Sequence, residues 1–289
     1  MKFALAGGQR VEAYPGGRGM CRRCNGEVIA KCGTHRVAHW AHRGMRDCDT
    51  WTEKETDWHR AWKNNFPVEC QEFIQHDAQS GEKHIADVRT PHGLVIEFQH
   101  SHLDPQERHA RERFHGNMLW IVDGTRLQRD YPRFNDARER FYGNMVWVVD
   151  GTRLQRDYPR FDREKGDLTP TKVQGCFLLA FPEECFPAMW LDSSVPVIFD
   201  FRGLDDSQSR DAFRDGLWCL LPGRLERSAV VVEMSREEFV KMAASRRQLL
   251  PVQDILALFR EQRAANTREV RPFVGMPGGR GPRRRYTRF

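Results

Sequence analysis

Long apolar runs are absent from this sequence. The longer ones, such as Met145–Val149, fall far short of the roughly 20 residues that a membrane-spanning helix needs, so a spanning helix is excluded. Met1 to Arg10 holds only a four-residue apolar stretch, Phe3–Ala6, and offers no signal-peptide core. A cytoplasmic protein with no membrane partner is the expectation. Charge of one sign is not in large excess either. The 46 Lys and Arg against 40 Asp and Glu give a net charge of +6 and a pI near 9.0, which permits a polyanionic partner without demanding one. The apolar share is not low enough for a disordered chain. With 39% hydrophobic and 30% charged residues over 289 positions, the composition is that of one large globular domain or two modest ones.

Disulfides are not expected in a cytosolic chain, so the eight cysteines read as thiols or metal ligands. Cys70, Cys176, Cys185 and Cys219 are scattered among apolar residues and read as buried thiols. The other four, Cys21, Cys24, Cys32 and Cys48, cluster early.

Residues 1–50 contain little that could build a core, and they read as a small metal-stapled module. Apolar spacing at Trp51, Trp58 and Trp62 predicts a helix from Thr52 to Asn65, ended by Pro67. Strand-like runs follow at Val68–Ile74, Lys83–Thr90 and Leu94–His100, the last two joined by the turn Pro91-His92-Gly93. Pro105–Phe114 is helical in pattern, and Met118–Val122 suits a buried parallel strand. The order helix, three strands, helix, strand describes a mixed α/β unit.

The chain then repeats itself. Ala110–Phe134 recurs as Ala137–Phe161 at an offset of 27 residues, with three differences in 25 positions. Two copies are too few for a solenoid, so this is a tandem duplication of one helix–strand–loop unit. Both Trp120 and Trp147 are expected to be buried. The second strand is expected to lie alongside the first as an extra parallel strand. The organisation is therefore a zinc-ribbon-like module over 1–50, a nuclease-like domain over 51–161 containing the duplication, a C-terminal α+β region over 176–267 and a basic tail over 268–289. In the C-terminal region, strands are expected at Cys176–Phe181, Val195–Phe201, Leu217–Leu221 and Ala229–Glu233. A helix capped by Ser235 and Glu238 follows, and a second over Pro251–Arg263. The tail holds seven arginines and three prolines and is expected to be disordered in isolation.

Two constellations carry chemistry. Cys21-Arg-Arg-Cys24 is a knuckle that puts two thiolates within one ion's reach, and His39, His42 and Cys48 compete for the remaining places of a tetrahedral structural zinc site. Four of these five are the expected ligands. Side-chain alternation favours one histidine together with Cys48. Cys32, in mid-hairpin, is not expected to bind. Asp87 sits inside one strand, with Glu97 and Gln99 on the same side of the next. Carboxylates inside apolar strands are costly unless paired or bound to a cation, and two on adjacent strands can hold Mg²⁺ or Mn²⁺ through oxygen. Glu55, read as lying on the preceding helix, can supply a third.

The set of motifs resembles the competence protein CoiA-like nucleases. It comprises Cys21 and Cys24, His39-Trp40-Ala41-His42, Glu55-Thr56 with His59 and Lys63, Ile85-Ala86-Asp87, and Glu97-Phe98-Gln99-His100-Ser101. The resemblance spans about residues 20–160. It implies the PD-(D/E)xK nuclease fold, with Asp87 and Glu97 as metal ligands behind an N-terminal zinc-ribbon-like region. That superfamily usually carries a lysine where this chain has Gln99, which has no positive charge. Lys63 or His59 is the candidate replacement. The expected function is metal-dependent hydrolysis of DNA phosphodiesters, with Asp87 and Glu97 on Mg²⁺, Glu55 assisting and Gln99 positioning the nucleophile. Two other readings stand beside it: a catalytically inactive DNA-binding or recombination accessory protein that keeps the fold, and a zinc-stabilised protein-interaction module.

Overall fold

Short strands separated by glycine turns fold the first 42 residues into an antiparallel sheet. Its strands are β1 (Phe3–Ala6), β2 (Gln9–Glu12), β3 (Arg18–Met20), β4 (Glu27–Lys31) and β5 (His39–His42), in the order β2-β1-β3-β4-β5. Gly7 and Gly8, both at positive φ, make the two-residue turn between β1 and β2. The computed structural model describes residues 1–44, 48–51, 53–126, 168–171, 173–202 and 215–269. The second copy of the repeat, Trp147 and most of the basic tail lie outside the described residues.

Helix α1 (Asp57–Lys63) is shorter than the apolar spacing predicts. Thr56 is extended, and its hydroxyl accepts a hydrogen bond from His59 N at 3.3 Å, so it caps the helix. Glu55 therefore precedes the helix rather than lying on it, and Trp51 stacks on His84 instead. A 3-10 turn (Val68–Cys70) leads into β6 (Gln71–His76), which pairs antiparallel with β7 (Lys83–Arg89); β7 in turn pairs antiparallel with β8 (Val95–Gln99). Asp104 caps α2 (Pro105–His115), with Pro105 at its first position. The chain then returns as β9 (Met118–Asp123), parallel to β8. Helix, three strands, helix and strand are thus present in the expected order.

The C-terminal strands do not build a sheet of their own. They are β10 (Leu168–Pro170), β11 (Cys176–Leu179), β12 (Val197–Asp200), β13 (Leu217–Leu220) and β14 (Ala229–Met234). β12 pairs parallel with β9, and the others extend one nine-stranded sheet, β10-β11-β14-β13-β12-β9-β8-β7-β6. β9 thus has a parallel neighbour on each side. The place expected for the duplicated strand alongside β9 is filled by β12, whose continuous apolar run Val197–Phe199 is fully buried.

Trp120, Phe199 and Trp218 lie in one buried cluster on this sheet. The indole nitrogens of Trp58 and Trp62 both donate to Asp200 Oδ2 at 3.0 Å, fixing α1 to the end of β12. Among the described residues, three further helices are α3 (Ala188–Leu191), α4 (Arg236–Ser245) and α5 (Val252–Glu269). α4 carries the Ser235–Glu238 capping box read from the sequence. The chain divides into two compact units, Met1–Val252 and Gln253–Phe289. No described helix is long and apolar enough to cross a membrane.

Candidate metal centre and carboxylate cavity

The Cys21–Cys24 knuckle is the turn between β3 and β4. Gly26 N donates to Cys24 Sγ at 3.3 Å and Arg23 N to Cys21 Sγ at 3.4 Å, so backbone amides orient both sulfurs. The β4–β5 hairpin brings back His42, whose Nε2 lies 3.3 Å from Cys24 Sγ, and Cys48 Sγ lies 3.7 Å from Cys21 Sγ. All four ligand atoms fall within 4.8 Å of one another. A tetrahedron with Zn–S bonds near 2.3 Å has S–S edges of about 3.8 Å, so the set fits zinc. Burial and the Cys21 charge push the Cys48 thiol up to about 12. Burial also opposes ionisation of Cys24, but the Gly26 amide and the thiols of Cys48 and Cys21 bring it below its ordinary value. Crowded thiols of this kind are what a bound cation relieves. Of the five candidates His39 is the one left out, its Nδ1 lying 2.9 Å from Val37 O, as strand alternation requires. Cys32 is exposed and lies outside the set.

The carboxylates lie on a single row across three strands. Extending the β6–β7 and β7–β8 registers by one step, Glu72 on β6 faces Asp87 on β7, and Asp87 faces Glu97 on β8. Side chains take over backbone partners at this level. Glu97 Oε1 accepts from Asp87 N at 3.1 Å, and Asp87 Oδ2 accepts from Phe98 N at 3.0 Å. Glu72 has φ 44, a left-handed conformation that a glutamate adopts only when its surroundings hold it there.

Like charges in a row would repel, and two cations offset them. Lys63 from α1 is buried, with Nζ 2.9 Å from Asp87, 3.0 Å from Glu55 and 3.6 Å from Glu72. Burial disfavours its charge, but Asp87, Glu55 and Glu72 together hold it well above the usual lysine range. Arg111 from α2 pairs with Glu97 at 3.3 Å. Burial first, then the Asp87 charge, pushes Glu97 up to about 8 despite Arg111 and Lys63. Burial acts the same way on Glu55, but Lys63, the N-terminal ammonium and Arg60 outweigh it and hold that carboxyl at about 2.

Glu55, His59, Lys63, Asp87 and Glu97 thus line one cavity of about 40 Å³, room for an ion and one or two waters. Gln99 is not among its lining residues. Its Nε2 turns to Ser101 O at 3.0 Å, and its Oε1 is buried with no hydrogen-bond partner among the described residues. His59 is held on every side, with Nδ1 2.7 Å from Thr56 Oγ1 and Nε2 within 3.2 Å of both Glu53 and Phe98 O. Glu53, Glu72 and Arg111 have no counterpart in the motif reading. Glu53 accepts from His100 N and Ser101 N and so caps the end of the Glu97–Ser101 motif. A groove of about 490 Å³ adjoins the cavity, sharing Glu53 and Glu55, and is lined by His35, Arg36, His39 and Lys54 among others.

Hard carboxylate oxygens suit Mg²⁺, which commonly takes one or two carboxylates and completes its shell with water and phosphate. Among the described residues, the Cys/His set is the group of three or more candidate ligands whose atoms all fall within 4.8 Å of one another.

Residues 17–50 match the family model described as competence protein CoiA, N-terminal domain. All four clustered ligands fall inside that segment. No curated protein and no solved structure matches the chain.

Proposed function

The chain is CoiA-like over residues 17–50, and from that premise we propose that it is a divalent-metal-dependent DNA nuclease with a PD-(D/E)xK core. The observation that carries the reading is the Glu72–Asp87–Glu97 row, with the Lys63 ammonium 2.9 Å from Asp87. Asp87 and Glu97 would hold the cation. When bound, Mg²⁺ lowers the pKa of a water and polarises a phosphate oxygen.

Lys63 fills the office of the lysine that this superfamily usually carries at the position of Gln99. It reaches the Asp87 carboxylate from a helix instead of from β8, and it donates to the phosphate or to the attacking water. Glu55 fixes the Lys63 ammonium, and Arg111 orients Glu97. His59 has both ring nitrogens engaged and serves to hold Glu53. The cavity is too small for a nucleotide, so the DNA strand lies in the adjoining groove. There Arg36 and Lys54 meet phosphates, which position the strand without reading its sequence.

The test is cleavage of plasmid and single-stranded DNA with Mg²⁺ or Mn²⁺. Asp87→Ala and Glu97→Ala should each abolish cleavage while salt-sensitive DNA binding stays within about twofold of the parent. Lys63→Ala should lower the rate by about 10²-fold or more, as loss of one preorganised donor does. If Asp87→Ala cuts as fast as the parent, the assignment is wrong.

One observation favours the inactive accessory reading. Lys63 and Arg111 already pair with the carboxylates that would take the metal. A parent that binds DNA and never cuts it under any divalent ion selects that reading.

A further inference from the structure

The two residues inside the knuckle, Arg22 and Arg23, grip the strands that carry the carboxylate row, and Arg23 also holds Cys48 of the metal set. Arg22 Nη1 donates to Glu72 O at 2.9 Å. Arg23 Nε donates to Lys83 O at 2.6 Å, its Nη1 donates to Cys48 O, and its guanidinium lies 3.6 Å from Asp49. Asp49, one residue beyond the ligand Cys48, is buried. It accepts from Ile85 N at 2.9 Å and Trp51 N at 3.1 Å, and its Oδ1 lies 2.9 Å from His84 Nδ1. Lys83, His84 and Ile85 begin β7, two residues ahead of Asp87.

Residue 72 is gripped hardest. Lys2 N and Phe3 N, beside and on β1, donate to its carboxylate, Arg22 holds its carbonyl, and Arg10 Nη2 donates to Gln71 O at 2.6 Å. This clamp explains how a glutamate stays at φ 44 on an edge strand: the module around it over-determines the conformation. The knuckle's shape, in turn, depends on what its sulfurs hold, since metal binding and folding are one event in so small a unit.

We propose that Arg22, Arg23 and Asp49 are positioning residues through which metal occupancy of the Cys21, Cys24, His42 and Cys48 site sets the order of β6 and β7, and with it the carboxylate cavity. The metal centre then controls the second site without touching its substrate. The importance of that cavity rests on the nuclease reading; the coupling itself does not.

The test is hydrogen exchange on the full chain, read peptide by peptide alongside metal content. Three samples are compared: zinc-loaded parent, parent stripped with a zinc-selective chelator, and zinc-loaded Arg22→Ala/Arg23→Ala. Stripping should speed exchange over residues 71–76 and 83–89 by about tenfold or more, while 217–220 and 229–234 keep parental protection. The double variant should keep one zinc per chain and show the same local loss. Arg22→Lys should restore protection of β6, because one donor suffices for Glu72 O. Arg23→Lys should not restore β7, because one ammonium cannot replace donors on two nitrogens that reach different carbonyls.

Unchanged protection of β6 and β7 in stripped protein overturns the inference, and so does a chain that takes up no zinc. If stripping unfolds the whole chain, the zinc-loaded double variant decides, and parental protection in it removes the arginines from the role. Cleavage is not part of the readout. A protein that never cuts DNA leaves the coupling standing, and one that cuts with β6 and β7 indifferent to zinc refutes the coupling alone.

Discussion

Lys63 is the residue on which the cavity's charge balance turns. Its side chain is 4% exposed and faces three carboxylates. Lys63→Met keeps the volume and strands those charges, which should cost about 3–5 kcal/mol in chemical denaturation at pH 7. Mg²⁺ should then raise the melting temperature of Lys63→Met more than that of the parent, since the ion replaces the missing cation. An equal Mg²⁺ shift in both proteins would remove the carboxylate row as a cation site. Glu53 gives a second prediction. Burial opposes its charge, but bonds from His59, Ser101 and His100 hold it at about 2. Its folded value lies below the unfolded one near 4.3, so its contribution is present above that pH and is lost as pH falls toward 2. The contribution is up to about 3 kcal/mol. Glu53→Gln should flatten the stability–pH curve between about pH 5 and 2, and a variant as acid-sensitive as the parent refutes the assignment. Strand alternation made Asp87 and Glu97 legible as neighbours, whereas Lys63 was marked only by the motif resemblance, and Glu55 reaches the cavity from the segment before α1, where helical periodicity does not place it. Glu53 and Glu72 carry no such signal. Glu53 acts from an extended segment on amides 47 and 48 residues away, and Glu72 depends on a left-handed backbone that glutamate does not advertise.

At the scale of elements, patterning located the strands better than the helix start. Alternation and continuous apolar runs gave β6 to β9 and β11 to β14 to within a few residues, because burial of a sheet face leaves a local mark. The tryptophan spacing carried the α1 prediction five residues too far back, through Trp51, which is near the core for a different reason: it stacks on His84. The competing signal was present in Thr56, a good N-cap residue directly before Asp57. Thr56→Ala should therefore cost about 1 kcal/mol, and Thr56→Ser should be close to neutral. Urea denaturation followed through the tryptophans checks both. Equal loss in both variants would point to the threonine methyl rather than the cap.

At the scale of the whole molecule, sequence reading divided what the sheet unites. Nothing local marks that Val197–Asp200 will pair with β9, because a parallel partner is chosen by the exposed edge and not by nearby turns. This pairing bears on the duplication. Since β9 is flanked on both sides, deleting Asn135–Phe161 removes no described strand. The 41 residues between Arg126 and Leu168 become 14, which still reach about 46 Å when extended. The five strand steps from β9 to β10 span about 24 Å. The deletion variant should unfold cooperatively, with its zinc site intact and its melting temperature within a few degrees of the parent. Insolubility or a broad, uncooperative transition would show that the second copy belongs to the core.

The β9–β12 pair also says what the repeat does to chain entropy. Trp120 and Val197 stand opposite each other with 77 residues between them in numbering, and without one repeat unit the separation would be 50. Loop-closure cost grows only as (3/2)RT times the logarithm of length, so the extra 27 residues add about 0.4 kcal/mol. A crossover already this long is the part of the fold where the chain can double a segment at almost no thermodynamic penalty.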